Sequence, residues 1–235
     1  MPIHLDCIQG THGWRMCRMG LPTASTFSRI LTPKKLTVSK PGIESLSAEL
    51  VAQRAMMTPL EVDLGSFAGR GSELEPEAVA WYELQTDVEV SRDGFYLDPE
   101  RMIGGSPDGV TPEAGIEVKC LAPAHHLRFL MGDAPAEYMA QVQASMLLCE
   151  RDRWDLLFYH PTLPSRILAV ARDDEYLAKL TAALDALRVA VDDMTGRLEG
   201  AGVDFAPWRE HVAAMTRGEV PGRKAERVDI WGASR

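Results

Sequence analysis

The sequence predicts an α/β fold in one domain, with runs of strand length and of helix length both present along the chain. Three observations carry this. Residues 153–160 and 166–171 are apolar-rich runs of strand length on either side of a proline-containing turn. Residues 43–57, 136–150 and 173–198 place apolar side chains at helical spacing. Between them, residues 104–121 hold a Pro-Asp-Gly turn, a short spacer of Pro, Gly and acid, and an apolar run, which is the pattern of a hairpin feeding the sheet.

A chain of 235 residues, 46% of them hydrophobic, has ample material for one large core. We take residues 1–215 as that domain and 216–235 as a polar C-terminal tail. No stretch approaches the roughly 18 apolar residues of a membrane span, and the N-terminus lacks a basic region followed by an apolar run. A cytoplasmic protein is expected. Cys7, Cys17, Cys120 and Cys149 form no CxxC pair, and no His stands at finger spacing, which argues against a disulfide framework or a zinc ribbon. The net charge of -9 opposes nonspecific nucleic-acid binding by the whole surface but leaves room for a local basic channel.

Taken in order, residues 14–20 suggest a short helix stopped by Gly20. The next segment opens with Pro22, Thr23 and Ser25, residues that start helices, and helix starts attract anions. Arg18 and Ser25 therefore suit a phosphate, while capping alone is the better account of the serine taken singly. Residues 32–42 carry Lys34, Lys35 and Lys40 and read as a basic loop, able to meet a nucleic-acid backbone or only solvent. A glycine-rich approach at 67–72 leads to a helix from Glu73 to about Gln85, whose acidic start suits the helix dipole. Residues 88–91, 94–98 and 101–104 form an antiparallel meander. Helices follow at 124–131 and 136–150, and the latter sends Gln141 and Gln143 to different faces, so at most one looks into a site. A last helix spans 207–215.

The chemistry concentrates at Asp108 and at Glu117 and Lys119. On a strand through 116–121, the period of two puts Ile116, Val118 and Cys120 on one face and Glu117 with Lys119 on the other. The hairpin returns Asp108 to Glu117, so two hard carboxylates address one spot, a donor set that suits Mg²⁺ or Mn²⁺ rather than zinc. Lys119 beside them can orient water or offset charge on a phosphate. The plainer alternative is a common Asp-Gly turn next to a solvated Glu and Lys.

Five motifs in register resemble the phage lambda exonuclease family, the YqaJ-like viral recombinase branch of the PD-(D/E)xK nucleases. They are Trp14, Arg18 and Thr23-Ala24-Ser25; the Gly71-to-Ala78 segment; Ser106-Pro107-Asp108-Gly109; Glu117-Val118-Lys119; and Tyr138-Met139-Ala140-Gln141-Val142-Gln143. The resemblance implies a restriction-endonuclease-like core, a central mixed β-sheet flanked by helices. It also implies that Arg18 and Ser25 bind the 5′-phosphate of a DNA end, that Glu75 is the active-site acid among its neighbours, and that Gln141 lies in the active site. Metal ligands would be Asp108, Glu117 and the Val118 main-chain carbonyl, with Lys119 positioning the nucleophile. Asp98 falls where the family has a further acid, and His125 stands where it has a phosphate-contacting pair.

The activity so implied is Mg²⁺-dependent 5′-to-3′ digestion of linear double-stranded DNA, with Mn²⁺ as a substitute metal, releasing 5′-mononucleotides and leaving 3′ overhangs. The family further implies a homotrimeric ring around DNA, a single-strand annealing protein as partner, and a phage or prophage gene acting in a bacterial cell. A structure-specific endonuclease of the same fold, or a catalytically silent DNA-end-binding module, would share the fold but not the whole residue set.

Overall fold

Two sheets organise the computed structural model, which describes residues 1–59, 65–92, 94–132 and 135–221, with backbone alone for 65–72. The larger is mixed, in the order β4 (Gly109–Val110), β5 (Gly115–Lys119), β6 (Arg153–Phe158), β7 (Arg166–Ala171). β4 and β5 form the expected hairpin. Thr111 closes it, its hydroxyl donating to the Ala114 carbonyl and accepting from the Ala114 amide, both at 3.0 Å. β5 runs parallel to β6 and β6 antiparallel to β7. A parallel pair needs a long crossover, here supplied by α4 (Pro123–Leu130) and α5 (Ala136–Cys149).

The smaller sheet is antiparallel, with β2 (Phe95–Asp98) between β1 (Ile3–Leu5) and β3 (Ile103–Gly105). β1 was not anticipated, because three residues are too few to display a period. The first run of the expected meander contributes only an isolated bridge between Ser91 and Val110.

The remaining helices are α1 (His12–Arg18), α2 (Lys40–Met56), α3 (Gly65–Thr86), α6 (Asp174–Gly200) and α7 (Ala206–Thr216), with a 3-10 turn at Ala24–Arg29. Ser39 caps α2 by accepting from the Gly42 amide, so Lys40 belongs to the helix and not to the basic loop that precedes it. α3 starts several residues earlier than expected and carries the glycine-rich approach as helix. Asp173 caps α6 through the Tyr176 amide at 2.9 Å. Most of the polar tail, 222–235, lies outside the described residues.

Packing on the mixed sheet follows the period of β5 and β6. Ile116, Val118, Leu157 and Tyr159 meet Ala78, Val79 and Tyr82 of α3. On the other face Trp154, Leu156 and Phe158 meet Phe129 of α4 and Val142 and Met146 of α5. Each such side chain contributes about 1.5–3 kcal/mol by leaving water. A polar clasp crosses the first interface: the Tyr82 hydroxyl donates to Asp155 at 2.7 Å, and Asp155 is 1% exposed. β5 is thereby held from both sides, which fixes the side chains it presents.

Candidate active site

Glu117 and Lys119 emerge from β5 on the face toward α5, as the strand period requires. The Lys119 ammonium donates to Glu117 Oε1 at 2.6 Å and to Gln141 Oε1 at 3.2 Å, and Gln141 Nε2 donates to the same Glu117 oxygen at 2.7 Å. The three form a closed polar triangle. Gln143 instead serves the fold: its amide nitrogen donates to the Ala171 carbonyl and its oxygen accepts from the Asp173 amide. The two glutamines diverge as their spacing on α5 requires. Tyr138, one turn ahead of Gln141, lays its ring 5.1 Å from the Lys119 ammonium.

Asp108 comes to the same place by a backbone route. Lys119 uses its carbonyl to accept from Tyr159 across the parallel pair, so strand alternation turns the amide and carbonyl of Val118 to the opposite edge. There the Val118 amide donates to Asp108 Oδ2 at 2.7 Å. Desolvation and the charges of Glu117 and Glu75 push Asp108 well above the usual carboxylate range, against the pull of Lys119 and the Val118 amide.

Glu75 joins from α3. Desolvation raises its carboxyl, Arg92 opposes the rise, and Glu117 adds to it. Its neighbour Glu77 is engaged elsewhere, accepting from the Tyr159 hydroxyl at 2.6 Å. Burial acts first to lower Lys119, but Glu117 and Asp108 outweigh it and hold the ammonium above its ordinary value.

The donor chemistry fits a hard cation. Glu117 is 2% exposed, and its Oε2 has no hydrogen-bond partner while Oε1 has two. A buried carboxylate oxygen left bare is costly. Two further acids, Asp108 and Glu75, lie beside it and repel it. Among the described residues no group of three His, Cys, Asp or Glu side chains is arranged as a ready metal cage. The fit is therefore to an ion held by two carboxylates and a main-chain carbonyl, with water completing its shell, as Mg²⁺ prefers.

A second set lies on α1 and the 3-10 turn. Arg18 donates to the hydroxyls of Thr23 and Ser25, both at 3.2 Å, and stacks 4.5 Å from the Trp14 ring. Trp14 and Arg18 are one helical turn apart, which permits the stacking. Burial draws the guanidinium down to about 10, so it stays charged at neutral pH. Among the described residues no carboxylate pairs with Arg18. Trp14 Nε1 also donates to Ser106 Oγ at 2.7 Å, joining this pocket to the turn that carries Asp108.

Two expected residues stand apart. Asp98 is a turn cap: it accepts from the amides of Glu100 and Arg101 at 3.0 Å and pairs with the Arg101 guanidinium at 2.6 Å. It lines a cavity of about 370 Å³ with Met1, Glu150, Asp152 and Arg172, none of which belongs to the carboxylate cluster. His125 is exposed on α4, while its neighbour His126 is buried against the Pro164 carbonyl at 2.8 Å. From sequence, Thr23 reads only as a helix-entry residue, and no site role falls to Ser106, Tyr138 or Arg92. The i, i+4 spacing of Trp14 and Arg18 was a usable signal; nothing local marks Arg92.

Residues 13–152 match the YqaJ-like viral recombinase domain, more than half of the chain. The chain belongs to the YqaJ-like viral recombinase family. Among solved structures it is similar to the alkaline exonuclease of Laribacter hongkongensis, one of whose structures is a complex with dAMP. The identity is 28%, covering 82% of this chain and 98% of that one, with a TM-score of 0.73. A phage-related exonuclease from Haemophilus somnus 129PT shares the fold at 16% identity and a TM-score of 0.62, over 78% of this chain and 99% of its own. No curated protein sequence matches the chain. This family member thus has a restriction-endonuclease-like PD-(D/E)xK core, with Pro107-Asp108 and Glu117-Val118-Lys119 as the motif on β5 and its hairpin. No helix among the described residues is long and apolar enough to cross a membrane.

Proposed function

We propose that this protein is a nuclease that digests linear double-stranded DNA from 5′ ends, releasing 5′-mononucleotides and leaving 3′ overhangs for phage-type recombination. The observation that carries this is the direct link between two sites: Trp14 bridges the Arg18 pocket to the turn of Asp108. An anion pocket fixed at the edge of a hydrolytic site measures one step from a DNA end. The family membership and the likeness to an alkaline exonuclease support the same reading.

Asp108, the bare Glu117 Oε2 and the Val118 carbonyl would hold Mg²⁺ or Mn²⁺, with Glu75 nearby. Such an ion supplies positive charge beside the scissile phosphate and acidifies water. The chain's own groups do the rest. Lys119, already held against Glu117 and Gln141, would orient or help deprotonate the water and offset charge on the phosphate. Gln141 keeps Lys119 and Glu117 in register through two hydrogen bonds. Arg18, Thr23 and Ser25 bind the 5′-phosphate with charge-assisted bonds, and Trp14 holds the arginine in place.

A homotrimeric ring around the duplex would explain how an acidic protein stays on DNA, and a single-strand annealing protein would take up the exposed 3′ strand. Digestion of linear duplexes with Mg²⁺, each strand labelled, tests the reading. Loss of only the 5′-terminated strand, faster with a 5′-phosphate and absent on closed circles, is expected. Nicking of circles would replace it with an endonuclease, and binding without cleavage with a silent end-binding module.

A further inference from the structure

One cation at the carboxylate cluster has no part in the chemistry above. The Arg92 guanidinium is hydrogen-bonded and ion-paired to Glu75. Its side chain is 47% exposed and that of the acid 17%, so the pair runs from the cluster out to solvent. The backbone beneath it is fixed. Ser91 exchanges two 2.8 Å hydrogen bonds with Val110, two residues beyond Asp108, and the Val90 amide donates to Glu83 at 2.8 Å.

DNA entering here brings a polyanion toward Asp108, Glu117 and Glu75. Two cations act on Glu75: Lys119 and Arg92. Lys119 is 19% exposed and committed to Glu117 and Gln141. Arg92 has the free surface, and its planar fork suits a phosphate as well as a carboxylate. A partly exposed ion pair contributes little to stability, so exchanging Glu75 for a phosphate costs little once a cation shares the acids.

We propose that Arg92 is a DNA-phosphate contact at the mouth of this site, with Glu75 as its counter-ion in the cation-free protein. The inference rests on the nuclease reading for its ligand, but not for its test. Binding of a 5′-phosphorylated duplex is followed by fluorescence anisotropy over a range of KCl, in Ca²⁺ and in EDTA. In Ca²⁺, Arg92→Gln should flatten the slope of log affinity against log salt by about 0.9, the share of one phosphate contact, and Arg92→Lys should restore it. In EDTA, the wild type and Arg92→Gln should share one slope.

An unchanged Arg92→Gln slope in Ca²⁺ overturns the assignment, because a purely structural pair would alter stability and leave the salt dependence alone. If the wild type digests DNA while the slopes coincide, only the Arg92 assignment falls. If the Arg92-dependent slope persists in a protein that Mg²⁺ does not make hydrolyse DNA, only the nuclease reading falls.

Discussion

Asp108 shows what a hydrolytic site costs at the scale of one residue. Its carboxyl is held well above the usual range by desolvation, Glu117 and Glu75, so the folded protein keeps a proton that the unfolded chain, at about 3.9, gives up. With the folded value raised, stability falls as pH climbs from the ordinary carboxylate range through the folded value. In chelator near neutral pH, Asp108→Asn should therefore stabilise the protein by about 1 kcal/mol, a usual gain when a strained site residue is relaxed. The difference should vanish in melts near pH 4. The same variant should lose DNA hydrolysis. Asparagine can still accept from the Val118 amide, which keeps the turn intact. Lys119→Met should lower the rate of mononucleotide release by about 10²-fold or more, with duplex binding retained. A variant that turns over normally would remove the ammonium from the mechanism.

At the scale of elements, the site depends on how tightly β5 and its neighbours are clamped. Gly115 opens β5 opposite Trp154, and a Cβ there would lie 2.2 Å from the indole, which is fully buried. Gly115→Ala should cost about 1–3 kcal/mol by overpacking, read as a shifted urea midpoint with unchanged slope. α7 is docked through His211, which is 8% exposed and bonded to the Met16 carbonyl on α1 at 3.0 Å. Burial lowers its pKa below the ordinary 6.5, although the Met16 bond opposes this. With the folded value depressed, its contribution is complete above pH 6.5 and is lost as pH falls through the folded value. Between pH 7.5 and 5.5 the wild type should lose more thermal stability than His211→Gln; parallel losses would exclude His211 as the cause.

The whole molecule must reconcile a net charge of -9 with a polyanionic substrate. Charge is local here: Arg18 with its hydroxyls is an island of positive charge in an acidic surface, while Lys119 and Arg92 offset the acids beside them. A ring of three copies would bring such islands to one channel, and light scattering of the purified protein should give three times 25.9 kDa. End recognition belongs to this scale too. Arg18→Ala should slow digestion of 5′-phosphorylated ends more than of 5′-hydroxyl ends, and equal losses on both would dissociate Arg18 from the phosphate.

The hairpin and the face shared by Glu117 and Lys119 were legible in the sequence, because a period of two and a turn dipeptide are local properties of the chain; the mixed sheet came with the family resemblance. The sequence also separated Gln141 from Gln143 through helical geometry. Family motifs singled out Glu75 and the pairing of Arg18 with Ser25, which spacing alone left open. The Asp98 turn cap and the Ser39 cap that places Lys40 in α2 are bonds within three residues. Tertiary packing alone brought Trp14 to Ser106 across 92 positions and Arg92 to Glu75. Those outcomes depend on which distant groups arrive beside a side chain and compete for its charge, and no local pattern carries that information.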